Sequence, residues 1–243
     1  MIVQTLISVF REKGYKLFTD PYKLNIVGVR TADPQPNKFD DHILVFFRDQ
    51  KDKWHYGEFP ATTDPGTYWL QNPMDPGGTA ILKEGQYLDA YAIGLHRGQY
   101  PALVQKNRPV TILRDYDRNA VLDFGSHDES RGFFGINIHR ANSSGSTLAV
   151  NLYSAGCQVF QRADHFGLFM KLCETHRTLH DNFFTYTLID LREMERSGNR
   201  SWAKKILMGL GVLAGGFLLT AFLTGRKKAR AKKAVAVKKG GRK

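Results

Sequence analysis

The chain has 243 residues, 42% of them hydrophobic and 12% aromatic, which is enough to bury a core and too apolar for wholesale disorder. Its formal net charge of +12 is concentrated at one end. Residues 226–243 hold ten Lys or Arg and no acid, and the remainder, with 25 basic and 23 acidic residues, is nearly neutral, which excludes a basic nucleic-acid-binding surface on the folded part.

The amino-terminal stretch MIVQTLISVF has no positive charge ahead of it and no small-residue cleavage site after it, so a secretory signal is not expected. It reads as a short amphipathic helix or strand packed on the domain. From Tyr15 to about Leu191 the texture is mostly β. Runs at 23–31, 42–47, 79–83, 109–115, 133–139 and 184–191 are rich in branched and aromatic residues, and Gly, Pro, Asn and Asp clusters separate them. One helical stretch, Ala163 to Leu179, interrupts the strands. The expected fold class is α+β, mainly β: a single compact β-rich domain with a few helices over residues 1–195, followed by one C-terminal transmembrane helix.

Residues 196–205 read as a polar hinge. The run 206–224 carries no charge over 19 residues, close to the roughly 20 that span a bilayer, and a span is assigned to residues 206–225 with Trp202 at its flank. Five glycines in or beside it would allow close helix approach. The ten cations beyond it place the tail on the cytoplasmic side and the domain on the other, facing the cell wall. The tail also suits anionic lipid headgroups. It has no interleaved aromatics for stacking on bases, so no specific nucleic-acid partner is expected.

Two cysteines are too few for a disulfide framework or a four-cysteine zinc site. Cys157 lies in a polar, glycine-containing turn and Cys173 in an apolar helix-like run, so two free thiols are expected. Cys173, His176 and His180 share a helical face. With no HExxH motif and no fourth ligand, no metal is expected there, and nothing calls for a cofactor. His127, Asp128 and Glu129 precede the 133–139 strand, either bordering a site or forming a solvated loop. Residues 94–103, GLHRGQYPAL, read as a loop that lines a groove.

Residues 133–160, FFGINIHRANSSGSTLAVNLYSAGCQVF, carry the chemistry. A strand ends at His139, and Ser154-Ala155-Gly156-Cys157 follows a polar loop, with histidine and cysteine 18 positions apart. A strand and a returning strand bring such a pair to one sheet edge. Nucleophilic cysteine chemistry needs that arrangement: a base beside the thiol, and a glycine that lets a backbone amide, of Gly156 or Cys157, face a developing oxyanion.

This segment resembles the signature of the L,D-transpeptidase catalytic domain family, the YkuD-like fold, in which a histidine at a strand end precedes Ser-His-Gly-Cys. His139, Ser154, Gly156 and Cys157 match. Upstream, ATTDPGTYWL (61–70) is similar to the family's Thr-Pro-x-Gly-x-Phe/Tyr turn, with Pro65, Gly66 and Tyr68 in place. The resemblance covers roughly residues 20–190 and is nearest to short variants in phage genomes. It implies a thioester-forming enzyme acting on peptidoglycan stem peptides, with Cys157 as nucleophile, His139 as base, and Ser154 and Gly156 shaping the turn. Arg140, Gln158 and Tyr68 would contact substrate. Ala155 replaces the motif's second histidine, Arg140 stands where a small residue is usual, and Gln158 replaces an apolar residue. These departures leave open transfer against hydrolysis, and also a non-catalytic wall-binding or virion-associated module that keeps the fold. Without a signal sequence, a phage lysis protein that waits in the cytoplasm for the membrane to be breached is a further expectation.

Overall fold

The computed structural model describes residues 2–125, 129–196 and 198–210. Eight strands close into a barrel. They are β1 (Asn25–Arg30), β2 (Asp41–Arg48), β3 (Trp54–Thr62), β5 (Gly85–His96), β6 (Tyr100–Gln105), β9 (Ile138–Arg140), β10 (Gln158–Phe160) and β11 (Phe184–Asp190), running round the ring as β1-β11-β5-β6-β9-β10-β3-β2. A separate sheet of β4 (Thr79–Leu82), β7 (Val110–Asp115) and β8 (Ser130–Gly132) has the order β4-β7-β8. The helices are α1 (Ile2–Glu12), α2 (Thr67–Gln71), α3 (Ala163–Leu179), α4 (Leu191–Arg196) and α5 (Arg200–Gly209). The β-rich α+β class is as expected.

Strand alternation divides the apolar residues into two cores. Ile26, Ile43, Val45, Phe59, Leu103, Ile138, Phe160, Tyr186 and Leu188 point into the barrel. Ala80, Leu82, Val110 and Ile112 of the small sheet join this core, as do Phe166, Phe169, Leu172 and Cys173 of α3. The outward residues Val27, Val29, Leu44, Phe46 and Ile189 pack instead against Ile2, Leu6, Val9 and Phe10 of α1, with Met194 of α4 and Ala203 and Ile206 of α5. β1 and β11 are therefore buried on both faces, which is why their sequences read as continuous apolar runs rather than alternating ones. The buried positions of α1 recur on one stripe of a helix, which settles the helix-or-strand alternative in favour of helix.

Arg30, fully buried at the end of β1, ties the barrel to the small sheet. Its guanidinium donates to Asp190 Oδ2 (3.2 Å) and to the carbonyls of Thr63 and Leu82 (3.1 Å each), and Asp64 Oδ1 lies 2.8 Å from its Nε.

Four strands, β3, β5, β6 and β8, fall where no strand was expected, the expected run 133–139 is strand only from Ile138, and two further expected features change. Residues 94–103 are not a loop. They form the β5–β6 hairpin, in which His96 pairs with Tyr100 and Gln99 N–H donates to His96 O (2.9 Å). Residues 196–205 are not a free hinge, because α5 docks on α1 and buries Ala203 and Ile206. Among the described residues no helix is long and apolar enough to cross a membrane. Residues 211–225 of the expected span and the tail 226–243 lie outside the described residues.

Candidate functional site

Cys157 precedes β10 by one residue. β10 runs parallel to β9, with Gln158 opposite Ile138, Val159 opposite His139 and Phe160 opposite Arg140. Ile138 and Phe160 face the barrel core, so alternation turns Asn137, His139, Cys157 and Val159 outward. The histidine and cysteine thus share one outer face on neighbouring strands, offset by two residues. At about 3.3 Å per residue along a strand and about 4.8 Å between strands, their Cα atoms are roughly 8 Å apart.

Cys157 Sγ accepts the Asn137 N–H (3.4 Å), and the thiol faces the Gly135 carbonyl at 3.5 Å. Among the described residues no hydrogen bond joins it to His139. His139 Nδ1 lies 2.8 Å from the Arg140 carbonyl, which also accepts the Tyr100 hydroxyl at 3.2 Å. A carbonyl only accepts, so the His139 proton sits on Nδ1 and Nε2 keeps a free lone pair, the tautomer a base requires.

Burial pushes His139 down to about 3, helped by the neighbouring His96 and opposed by the Arg140 carbonyl. Burial likewise raises the Cys157 thiol, against the Asn137 N–H and the Arg97 charge, which favour the thiolate. The resting pair is therefore a neutral thiol and a neutral imidazole, not an ion pair.

The turn that presents Cys157 is tightly specified. Ser154 is fully buried, and its Oγ accepts the Gly156 N–H (3.2 Å) while donating to the Cys157 carbonyl (2.8 Å). Gly156 has φ of 112°, and a Cβ there would stand 2.3 Å from the Ala80 carbonyl of β4. With the Gly156 amide engaged, the Cys157 N–H is the one that finds no acceptor among the described residues, and it is the available oxyanion donor.

The upstream motif meets this turn. Gly66 N–H donates to the Ser154 carbonyl (2.9 Å), and Trp69 Nε1 donates to the Leu152 carbonyl (3.1 Å). A side chain on Gly66 would collide with the backbone of Asn151, whose carbonyl oxygen would be 2.1 Å away. Two segments some 90 positions apart in sequence thus form one structural unit.

The expected substrate contacts fare differently. Gln158 is corrected: it is fully buried, its Oε1 accepts the Tyr186 hydroxyl (2.7 Å), and its Nε2 faces the carbonyls of Thr63 (3.4 Å) and Gly156 (3.3 Å). It braces the Cys157 turn from inside the barrel and does not reach a substrate. Arg140 lays its guanidinium over the Tyr100 ring, 4.3 Å from the centroid, at the rim beside His139. Tyr68 stands exposed on α2 with its ring edge-on to Trp69, and does not touch Cys157 or His139.

Four more residues meet the site, His96, Tyr100 and Asn137 by direct contact and Arg97 by charge; the sequence reading missed Asn137 and gave the other three no role beyond lining a groove. The His96 ring stacks on His139 with centroids 4.0 Å apart and planes at 22°. The signal for Asn137 was its position two residues before His139 in a strand. His96 and Tyr100 were flagged only as part of a groove-lining loop.

Both cysteines are free. The face of α3 with Cys173 and His176 is spent on packing: His176 Nδ1 accepts the Leu24 N–H (3.1 Å), and His180 Nε2 faces the Pro21 carbonyl (3.0 Å). Among the described residues no three metal-ligating side chains converge. His127 and Asp128 lie outside the described residues, and Glu129 pairs with Lys83 away from Cys157. No family model, curated protein or solved structure matches the chain.

Proposed function

We propose that the chain is a cysteine acyl-transfer enzyme acting on peptidoglycan stem peptides, with Cys157 as nucleophile and His139 as base. The observation that carries this reading is the shared outer face of the two residues, with His139 in the tautomer that leaves Nε2 free to accept. The choice of substrate rests on the resemblance of the two motifs, which meet at Gly66 and Ser154.

In this mechanism a stem peptide binds against Cys157 and His139 Nε2 swings toward Sγ. As Sγ bonds to the stem carbonyl carbon, its proton passes to Nε2, and the Cys157 N–H holds the oxyanion. Collapse breaks the carbon–nitrogen bond, and the leaving amine takes the proton from His139. Water or the amine of a second stem then adds to the thioester, again losing a proton to His139, and the departing sulfur recovers it. A thiol raised by burial and a base near 3 make prior ion-pair formation unfavourable, so proton transfer accompanies attack. Attachment to a membrane through residues 206–225, with the basic tail on anionic headgroups, belongs to the same proposal and is supported by the uncharged run and the cations that follow it.

A second reading is a wall-binding module that keeps the fold without turnover. It is favoured by the engagement of Cys157 Sγ with Asn137 and Gly135 rather than with His139. Mass spectrometry of muropeptides after incubating peptidoglycan with the full chain in detergent separates the two. New cross-links or shortened stems are expected with the wild type. They are expected to vanish in Cys157→Ala and to fall about 10²–10⁴-fold in His139→Ala. Unchanged muropeptides with the wild type, on walls of several stem chemistries, would establish the binding module instead.

A further inference from the structure

The acyl-transfer chemistry leaves His96 and Asn137 without a part, yet both are built into the site. Asn137 Oδ1 accepts the Gln105 N–H (2.9 Å), a backbone donor that fixes the amide's orientation. Its NH₂ group therefore faces His96 Nδ1, 3.1 Å away. That nitrogen must accept, so His96 is neutral with its proton on Nε2. His139, stacked on it, is neutral with its proton on Nδ1, because the Arg140 carbonyl demands a donor. The two imidazoles are a pair of opposite tautomers.

A stack with centroids 4.0 Å apart does not hold two cations. Around it stand Arg97 at the hairpin tip, Arg140 and Tyr100 beside His139, and the Cys157 thiol. No carboxylate of the described residues acts on either ring. Whichever ring takes a proton, the other must remain neutral, and the Asn137 amide decides which. A protonated His96 Nδ1 would meet the NH₂ group, unless the amide turned over and gave up Gln105.

We propose that His96 is the positioning residue of the base, locked by Asn137 in its neutral form, so that of the two stacked rings His139 alone takes the Cys157 proton. His96 gives the resulting imidazolium a flat, uncharged platform. The inference rests on the reading of Cys157 and His139 as nucleophile and base. Burial and the Arg97 charge push His96 down to about 4, while His139 goes to about 3. Burial thus disfavours a proton on either ring, and the Asn137 lock decides that His139 is the one to take it.

The test is ring-nitrogen NMR of the ¹⁵N-histidine-labelled full chain in detergent, with resonances assigned through His96→Phe and His139→Phe. The expected spectra show His96 as the Nε2–H tautomer and His139 as the Nδ1–H tautomer, with His139 protonating ahead of His96 on acidification. In Asn137→Asp, where a carboxylate faces Nδ1, the order reverses. Finding His96 as the Nδ1–H tautomer, or protonating first in the wild type, overturns the proposal. The second readout is the rate of Cys157 alkylation by iodoacetamide near neutral pH, followed peptide by peptide. His139→Ala and His96→Ala each slow it about 10-fold, and His96→Phe, which restores a flat ring, recovers most of the loss. Equal rates in His96→Ala and wild type, with His139→Ala slowed, refute the positioning role. Equal rates in His139→Ala and wild type refute the base itself, and the spectra show whether the tautomers were nonetheless as assigned.

Discussion

Ser154 contributes to the site without reaching a substrate. Its fully buried hydroxyl closes a small ring by accepting from Gly156 and donating to the Cys157 carbonyl. Ser154→Ala is expected to cost about 1–3 kcal/mol in chemical denaturation, and more in turnover, because the freed turn no longer aims Cys157. Gly156→Ala is harsher: the new methyl must displace the Ala80 carbonyl and strain a positive φ, so a lower melting temperature and loss of Cys157-dependent turnover are expected together. The motif residues were legible in sequence because local chain geometry sets them: a buried serine, a glycine at positive φ and a cysteine must be contiguous to build the turn. Asn137 was not, and the contacts of His96, Arg97 and Tyr100 with the histidine–cysteine pair were not, because barrel closure brings them together from strands whose pairing no local pattern announces. Gln158 was misassigned for a simpler reason. Once Cys157 is placed on the outer face, its neighbour in an extended strand must point inward.

At the scale of elements, α3 and the strands of continuous apolar texture were readable, and the α3 limits came out at Ala163 and Leu179 as expected. The helix follows from Phe166, Phe169, Leu172, Cys173 and His176 recurring on one buried face. β3 and β5 were missed because glycines and half-buried polar residues interrupt their apolar pattern, and β6 because Pro101 stands near its start. The carboxyl-terminal helix holds the clearest open question of attachment. Ile206, the first residue of the 19-residue uncharged run, is buried against α1, and Gly209 lies against Ile2. Fourteen residues beyond Leu210 would span about 21 Å if helical, at 1.5 Å per residue, against a hydrocarbon thickness of about 30 Å. A full crossing therefore requires α5 to leave α1. Ile206→Ala discriminates: with α5 docked, removing this side chain costs about 3 kcal/mol of domain stability in denaturant titration, and with α5 in lipid it costs the domain nothing.

For the molecule as a whole, three buried neutral histidines make the fold sensitive to acid. Burial lowers His96, His139 and His176 well below the ordinary histidine value. An unfolded chain binds these protons near the ordinary histidine value of about 6.5, so the unfolded state holds more protons between that value and the folded ones. Stability is then fully present above pH 6.5 and falls on acidification, with a slope of roughly 1.4 kcal/mol per pH unit for each histidine until the folded value is reached. Asp190, held low by Arg192 and Arg30 against the cost of burial, adds a further loss as pH drops below the ordinary carboxylate range. Melting curves from pH 7 to pH 4 should show a steep fall. Replacing His176, which lies on α3 away from Cys157, by an apolar residue should flatten it without moving the alkylation rate of Cys157.

The ring order carries one more consequence. Counting round the eight strands, β9 stands directly across from β1, and β10 across from β11. The helices that carry both ends of the described chain, α1 and α5, lie on the β1, β2 and β11 side. Cys157 and His139 therefore stand on the side of the barrel opposite α1 and α5. Under the proposed attachment through residues 206–225, the barrel itself is the standoff. Cys157 would then look away from the attached side and work on material held beyond the far one.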